Sequence, residues 1–342
     1  MNQELDWIEQ LAPDMIETMV QRFMIIRHIY WTQPVGRRTL AQEIGLTERV
    51  LRTETDFLKQ QGLIETTRSG MIITVKGRSV LDGLNPLIDD LANIHQQEEE
   101  LAQSLGIARC LIVAGDIDQQ EKVVEEMGKS VNEALNLLLP LGPSVIAVMG
   151  GTTMAEIAHC LTAKLSEKRS LTFVPARGGI GETVAIQANS VSSMMARRAG
   201  GNHRALYVPE QLSEQAYAPL LNEPSIQQVV QLIRNSDAVI HSVGQAIKMA
   251  RRRDMDTQVV AMLQQKRAVG EAFGYFFDES GQIVYKIPRI GVQLEDLTRM
   301  KCVIAVAGGS SKAKAIVAYM KHAPSQTWLI TDEGAAKMIL KK

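Results

Sequence analysis

The sequence has few cysteines, no long apolar run and no basic segment at its amino terminus. Its three cysteines, among 342 residues, lie in apolar surroundings without CxxC or Cys/His spacing, so we expect them in the core and expect no metal site. No apolar stretch approaches the roughly 20 residues that span a bilayer. The first residues, MNQELDWIEQL, carry acids where a secretion signal carries basic side chains. We therefore expect a cytoplasmic protein with no membrane partner.

The charge of the chain is balanced overall but unevenly distributed. The whole sequence has 37 Lys and Arg against 38 Asp and Glu, yet residues 21–78 carry ten basic and five acidic side chains. A length of 342 residues is typical of about two domains. A small basic unit joined to a larger acidic unit is therefore expected, and the basic unit is suited to a polyanion partner.

The basic segment has the order of elements of a winged helix-turn-helix. Pro34 favours an end to a first helix just before it. The stretch RRTLAQEI, from Arg37, predicts a short second helix that Gly45 closes as a left-handed C-cap, and Thr47 can cap a third helix that continues to about residue 60. The following LIETTRSGMIITVKG predicts a two-stranded wing around Arg68. The inner face of the third helix is expected to consist of Val50, Leu51, Phe57 and Leu58.

The outer face of the third helix predicts contact with double-stranded operator DNA. Arg49, Arg52, Thr53 and Asp56 recur there at helical spacing, so they can reach base edges or phosphates in a major groove. The alternative is an αα corner whose charged face is only solvated. The order of turn glycine, cap, basic face and glycine-tipped wing favours DNA binding. The residues expected to contact DNA are Arg37, Arg38, Thr47, Arg49, Arg52, Thr53 and Arg68.

A helical connector is expected over residues 79–106, between a DNA-binding domain (1–78) and an effector-binding domain (107–342). Its leucine-rich stripe is typical of an a/d seam between two helices, although a helix packed on the core of the next domain shows a similar stripe. Pro86 leaves the helix boundary there open. A seam would favour a homodimer, or a tetramer on DNA, which matches symmetric operators. The stripe consists of Val80, Leu84, Leu87, Leu91, Ile94, Leu101 and Leu105.

From Cys110 onward, short apolar runs alternate with glycine-rich loops and helical stretches. This alternation predicts an α/β fold with a mostly parallel, doubly wound sheet. In such sheets ligands bind at the carboxyl ends of the strands, where the loops lie. The runs that predict strands are CLIVAGD, SVIAVMGGTTM, LTFVPARGGIG, RALYVPE, AVIHSVG, CVIAVAGGSSK and TWLITDEG.

Two of these loops are near copies of each other. Residues 145–153 read VIAVMGGTT, and residues 303–312 read VIAVAGGSSK. Paired glycines let a ligand approach the backbone, and hydroxyls with helix N-terminal amides favour an anion. With Lys312 and Arg177 adding positive charge, the pair predicts a site for a phosphorylated small molecule, although double glycines can also serve only tight turns. Neither loop matches GxxxxGK[ST] or GxGxxG, so no nucleotide cofactor is expected. The side chains suited to sugar hydroxyls are Glu182, Gln187 and Glu271.

Several blocks together resemble the SorC family of bacterial transcriptional repressors: GRRTLAQEIGLTERVLR, AVMGGTT, VPARGGIGE, QANSV, EAFGYFF and AVAGGSSKAKAI. The resemblance covers nearly the full length. It implies a winged-helix operator-binding domain and an effector domain similar to phosphosugar isomerases and glucosamine-6-phosphate deaminase. It also implies a repressor of a glycolytic operon, without enzymatic activity, that is relieved by fructose 1,6-bisphosphate.

The same resemblance implies the effector contacts. One phosphate would be held by Gly150, Gly151, Thr152 and Thr153, the other by Gly309, Ser310, Ser311 and Lys312, with Arg177, Gln187 and Glu271 also contacting the ligand. The alternative function is an isomerase-like or deaminase-like enzyme that carries a DNA-binding appendage. Such chemistry needs a base near the sugar carbonyl, for which Glu271, Asp116 or Asp332 are the candidates.

Overall fold

The computed structural model describes residues 7–8, 11–113, 115–179, 183–209 and 214–341. The chain divides into two compact units, Met1–Gln96 and Gln97–Lys342. The division falls within one long helix, Val75–Leu105. Within the described ranges, no helix is both long and apolar enough to cross a membrane.

The first unit consists of helices followed by a hairpin. Helices α1 (Pro13–Thr32), α2 (Arg37–Ile44) and α3 (Glu48–Gln60) precede the antiparallel strands β1 (Ile64–Thr66) and β2 (Met71–Ile73). Gly45 closes α2 with a φ of +75°. These elements confirm the predicted helix-turn-helix and wing. They enclose a buried cluster that includes Phe23, Ile29, Leu40, Leu51 and Ile64.

The inner face of α3 differs from the prediction at one position. Leu51 and Leu58 are buried and Phe57 packs against the same cluster, but Val50 is 41% exposed. Thr55 is buried in its place, with its hydroxyl donating to the Leu51 carbonyl at 2.8 Å. Because the hydroxyl bonds to its own helix, the polar side chain is accommodated in the core, which an apolar pattern does not reveal.

The long helix α4 (Val75–Leu105) continues without a break through Pro86. Leu84 packs against the core cluster of the first unit, while Leu101 is fully buried in that of the second unit and Leu105 packs against it. The carboxyl-terminal end of the predicted stripe therefore faces the core of the second unit, as in the second of the two interpretations, whereas Leu84 faces the core of the first unit. The side chains of its middle part, Leu87, Leu91 and Ile94, lie outside the described residues.

The second unit has an α/β architecture. Its strands are β3 (Arg109–Val113), β4 (Gly142–Val148), β5 (Arg169–Pro175), β6 (Asn202–His203), β7 (Ala238–His241), β8 (Gly244–Gln245), β9 (Ala268–Ala272), β10 (Tyr275–Asp278), β11 (Ile283–Lys286), β12 (Cys302–Val306) and β13 (Thr327–Asp332). Its helices beyond α4 are α5 (Val123–Leu138), α6 (Thr152–Ala158), α7 (Ala188–Ala199), α8 (Glu214–Asn222), α9 (Pro224–Arg234), α10 (Ala246–Arg252), α11 (Thr257–Gln265), α12 (Ala313–Met320) and α13 (Glu333–Leu340).

Seven of these strands form the parallel sheet that the sequence predicts, in the order β3-β13-β12-β7-β4-β5-β6. Alternate residues face opposite cores: on β7, Ala238 and Ile240 join one buried cluster and Val239 joins the other. Helices α5, α6 and α7 cover the first face, and α9, α12 and α13 cover the second. The sheet is therefore doubly wound, which confirms the predicted fold class. Cys110 and Cys302 are buried in these cores, and Cys160 is half-buried.

Residues 204–209, the described part of the run RALYVPE, form no strand, contrary to the prediction. The short strand β6 lies just before it, and Leu206 is buried but irregular. The Asn189 side chain accepts from the Leu206 amide at 3.0 Å and donates to the Leu206 carbonyl at 2.9 Å. Because one side-chain amide makes both hydrogen bonds that a neighbouring strand would make with Leu206, the backbone of this buried residue needs no strand partner.

A second, antiparallel sheet, which the sequence reasoning did not identify, has the order β11-β10-β9-β8. It begins at Gly244, three residues after β7 ends, so it grows from the carboxyl end of the parallel sheet. Its central hairpin turns at Phe273 and Gly274, whose φ values are +52° and +77°. Two positive φ values identify the tight turn that matches strand twist, but a Phe-Gly pair lacks the usual Asn-Gly or Asp-Gly signal.

Candidate DNA-binding face and effector site

Helix α3 presents an exposed and largely basic face. The Thr47 hydroxyl accepts from the Val50 amide at 3.3 Å, which confirms the predicted cap. Arg49, Arg52 and Thr53 are all exposed beyond it. Arg52 lies 3.8 Å from Asp56, and its side chain is 71% exposed. Because such exposed ion pairs are weak, the arginine can exchange this carboxylate for a DNA phosphate or base.

The second helix and the wing extend this face. Arg37 also lies beside Asp56, at 3.7 Å, and Arg38 is exposed. Arg68 is exposed in the turn between β1 and β2. Val35, two residues before α2, exchanges two backbone hydrogen bonds with Met71 of the hairpin. This bridge, which the sequence reasoning missed, holds the wing against the start of α2.

The two glycine loops lie on either side of β7, at one end of the parallel sheet. β4 pairs with β7 up to Val148 and Ile240, and β12 pairs with β7 up to Ala305 and His241. The loops that follow β4 and β12 therefore begin at the same level of the sheet. They are two strand spacings apart, which is about 10 Å.

The first glycine loop leads from β4 into α6. Gly151 has a φ of +131°, a conformation that favours glycine. Gly150 approaches the chain before α7 so closely that a Cβ would lie 2.5 Å from the Ile186 carbonyl oxygen. Beside Gly151 the loop is open, since no described atom lies within 4 Å of the point where a Cβ would be. Thr152 and Thr153 form the first turn of α6.

The second glycine loop leads from β12, through a 3-10 turn at Ser310–Lys312, into α12. Gly309 has a φ of +99°, so the two loops repeat each other in backbone as well as in sequence. The second loop differs in being closed by carboxylates. Three consecutive amides each donate to an aspartate: Gly309 N to Asp332 Oδ2 at 2.7 Å, Ser310 N to Asp116 Oδ1 at 3.3 Å and Ser311 N to Asp118 Oδ2 at 2.9 Å.

Lys312 is half-buried at the end of this loop, among other positive charges. Burial lowers the pKa of its ammonium group. The charges of Asp118 and Asp332 oppose this effect, and those of Lys248 and Arg252 act with it. Gln245, the residue before α10, donates to the Ser311 carbonyl at 2.7 Å and so ties α10 to the loop. The arrangement concentrates cationic side chains at the second loop, which is suited to a phosphate.

Glu271 lies on β9 in a buried ion pair. Arg253 Nη1 is 3.1 Å from Glu271 Oε2, and the two side chains are 2% and 5% exposed. The Gly274 amide donates to Glu271 Oε1 at 2.7 Å. Burial alone would raise the pKa of Glu271, but Arg253, the Gly274 amide and the charge of Arg289 hold it below its ordinary value. The carboxylate is therefore ionised and held in one position.

Arg177 and Gln187 lie close to the first loop. Arg177 follows β5, is 2% exposed and forms an isolated backbone bridge with Gly291. Gln187 immediately precedes α7 and is half-buried. Its Oε1 is 3.3 Å from the point where a Cβ on Gly179 would be. Glu182 lies outside the described residues.

Several charged residues at this end of the sheet were not singled out as ligand contacts from the sequence. Lys248 and Arg252 are four residues apart on α10, a spacing that places them on one helix face. That spacing is a signal, but in the run KMARRRD it cannot be told from a solvated charged face. Asp118 gives no signal at all, because its contact with Ser311 joins residues 193 positions apart.

Comparisons with known proteins match the chain to a DNA-binding family and to a sugar-binding family. Residues 89–341 match the family described as "Putative sugar-binding domain", and residues 18–88 match the "CggR N-terminal DNA binding domain". The chain is 42% identical to the central glycolytic genes regulator of Priestia megaterium, over 97% of this chain and 96% of that protein. It is 41% identical to the Bacillus subtilis protein of the same name, over 100% of this chain and 99% of that protein. The chain is also similar to the crystal structure of a "putative SorC family transcriptional regulator" from Enterococcus faecalis. The sequence identity is 59% and the TM-score is 0.69, and the match covers 72% of this chain and 100% of that chain.

A DNA-binding domain joined to a sugar-binding domain defines a transcriptional regulator that binds a sugar ligand. This class agrees with the basic face of the first unit and with the loops of the second. The chain belongs to the SorC family and, within it, to the central glycolytic genes regulators. It is therefore a transcriptional regulator of glycolytic genes, and the resemblance seen in the sequence blocks is confirmed.

Proposed function

We propose that the chain is a repressor of a glycolytic operon and that fructose 1,6-bisphosphate relieves its binding to operator DNA. The observation that carries the proposal is the pair of glycine and hydroxyl loops on either side of β7. One phosphate would bind at residues 150–153 and the other at residues 309–312. Arg177, Gln187 and Glu271 would contact the rest of the ligand.

The distance between the loops favours a ligand with two phosphates. The loops are about 10 Å apart, so a sugar with a phosphate at each end can reach both of them at once. A monophosphate can use only one loop and forgoes the second set of amide and ammonium contacts. We therefore expect a bisphosphate to bind more tightly than the corresponding monophosphate.

On the DNA side, we propose that α3 enters the major groove and that the wing contacts the flanking backbone. Arg49, Arg52 and Thr53 would read bases, and Arg37, Arg38, Thr47 and Arg68 would hold phosphates. The operator would be bound by a homodimer, or by a tetramer built from two dimers, since symmetric operators match symmetric proteins.

The alternative, an isomerase or deaminase, receives less support from the geometry. A general base needs a pKa near neutrality and access to the substrate. Glu271 is held ionised by Arg253, and Asp332 accepts three backbone amides. Asp116 is also engaged by amides, and its pKa is lowered by them against the raising effect of burial. His241, at the end of β7, is fully buried, and burial lowers its pKa to about 3.

The test is a pair of titrations on the full chain, with an operator duplex selected by the protein from a random library. We expect fructose 1,6-bisphosphate to weaken operator binding, and operator to weaken the binding of fructose 1,6-bisphosphate by the same factor, because coupling between two sites is reciprocal. A sugar affinity that operator leaves unchanged would contradict the proposal.

Two controls separate the alternatives. The variant Arg49→Ala should lose operator discrimination while keeping the sugar affinity of the free protein. Incubation with fructose 1,6-bisphosphate, glucosamine 6-phosphate or ribose 5-phosphate should give no product, and turnover of any of them would favour the enzyme. A melting temperature that no sugar phosphate raises would mean that the loops hold no such ligand, since a ligand of the native state stabilises it by mass action.

A further inference from the structure

The second glycine loop holds a carboxylate where the proposed function places a phosphate. The Ser311 amide donates to Asp118 Oδ2 at 2.9 Å. A Cβ on Gly309 would lie 2.7 Å from both carboxylate oxygens of Asp118. At the corresponding glycine of the first loop, Gly151, the described part of the structure leaves that space open. The two loops thus share one backbone but differ in what lies against it.

A carboxylate and a phosphate compete for the same donors. Both are oxyanions, and both accept from backbone amides at the start of a helix and from a nearby ammonium group. The charge of Asp118 acts on Lys312, the lysine assigned to this phosphate. A phosphate that bonds to the Ser311 amide must therefore take the position of the Asp118 carboxylate.

We propose that Asp118 is a built-in occupant of the second phosphate site, which the phosphate of the effector displaces. The inference rests on the proposed function, because it concerns the same loop. Its consequence is that Asp118 weakens effector binding, and so raises the sugar phosphate concentration at which the regulator responds.

The surroundings allow Asp118 to leave without disturbing the loop. Asp118 is exposed, so its carboxylate can turn into water. Asp332 is fully buried and accepts from both the Gly309 amide and the Ile117 amide, at 2.7 and 2.8 Å. Asp116 accepts from the Ser310 amide at a longer 3.3 Å. The buried aspartate therefore anchors the loop, while the exposed one is free to exchange with a ligand.

The test compares Asp118→Ala with the wild-type full chain by isothermal titration of fructose 1,6-bisphosphate. We expect Asp118→Ala to lower the Kd about tenfold, which corresponds to about 1.4 kcal/mol, because the ligand no longer displaces an ionised acceptor. Asp118→Asn should give a smaller gain, since the amide oxygen still accepts from Ser311 but carries no charge. The control is Glu121→Gln, which removes the same charge from an exposed neighbour and should leave the Kd close to that of the wild type.

An unchanged Kd in Asp118→Ala, with the variant folded by circular dichroism, would overturn the inference, and so would a higher Kd, which would make Asp118 a ligand contact. If the wild type does not bind fructose 1,6-bisphosphate, the proposed function fails and the inference is judged with inorganic phosphate alone. A larger rise in melting temperature with phosphate in Asp118→Ala than in the wild type would then support it. An equal rise, or no rise in either protein, would overturn it.

Discussion

Replacing Arg253 by methionine removes the partner of a buried carboxylate and leaves its neighbours in place. Arg253 and Glu271 are 3.1 Å apart and almost fully enclosed. Breaking a buried pair from one side costs about 3–5 kcal/mol, because the remaining charge keeps its desolvation penalty without its partner. For a unit of this size, we expect the melting temperature of the effector unit to fall by roughly 6–20 °C in calorimetry of the full chain.

The pH dependence of stability is a second, independent test of this buried pair. The pKa of Glu271 is lowered in the folded wild type, so the pair contributes stability above the unfolded pKa and loses it as pH falls through the folded pKa. In Arg253→Met, burial is no longer opposed by Arg253 and raises the pKa of Glu271. The difference in melting temperature between the wild type and the variant should therefore become smaller as pH is lowered from neutrality toward about 5.

A double variant and a control variant at an exposed ion pair complete this test. The double variant Arg253→Met/Glu271→Gln should regain much of the lost melting temperature, because neither member of the buried pair is then charged. Lys314→Met breaks the pair between Lys314 and Glu279, whose side chains are 75% and 53% exposed, and should leave the melting temperature unchanged. A wild-type melting temperature in Arg253→Met, or a double variant as unstable as the single one, would refute the reasoning.

Three further predictions concern the two binding sites. Arg49→Ala should reduce the preference for operator over random duplex by about 1–3 kcal/mol in fluorescence anisotropy. Arg37→Ala should instead weaken binding to both duplexes alike, and the same change of preference in both variants would contradict these roles. Gly150→Ala should abolish effector binding in calorimetry but keep operator binding, because its Cβ would lie 2.5 Å from the Ile186 carbonyl oxygen. Lys312→Met should raise the Kd for fructose 1,6-bisphosphate about tenfold through the loss of a charge-assisted contact, and an unchanged Kd would remove Lys312 from the site.

The fold was predictable where the determining interactions are local. Gly45 and Thr47 mark the turn between α2 and α3 through their own conformations, so the helix-turn-helix follows from a few adjacent residues. The run at Leu206 misled because Asn189, 17 residues away, replaces its strand partner. The antiparallel sheet was missed because its central turn contains Phe273 in a conformation that its residue type does not indicate.

The candidate site was predictable where the sequence repeats itself. Two similar loops stand out without knowledge of the fold, and the parallel sheet then accounts for their common position on either side of β7. The residues that complete the site depend on tertiary contacts: Asp118 reaches Ser311 across 193 positions, and Arg253 reaches Glu271 across 18. Composition and spacing alone do not distinguish such residues from the charges of a solvated surface.

The central claim is that two glycine loops each hold one phosphate of the same effector. A crystal structure of the full chain grown with fructose 1,6-bisphosphate tests it most directly. The account predicts one phosphate at the first loop, residues 150–153, and the other at the second loop, residues 309–312, where it replaces the Asp118 carboxylate on the Ser311 amide. A ligand bound elsewhere, or both loops without phosphate at a saturating concentration, would contradict it.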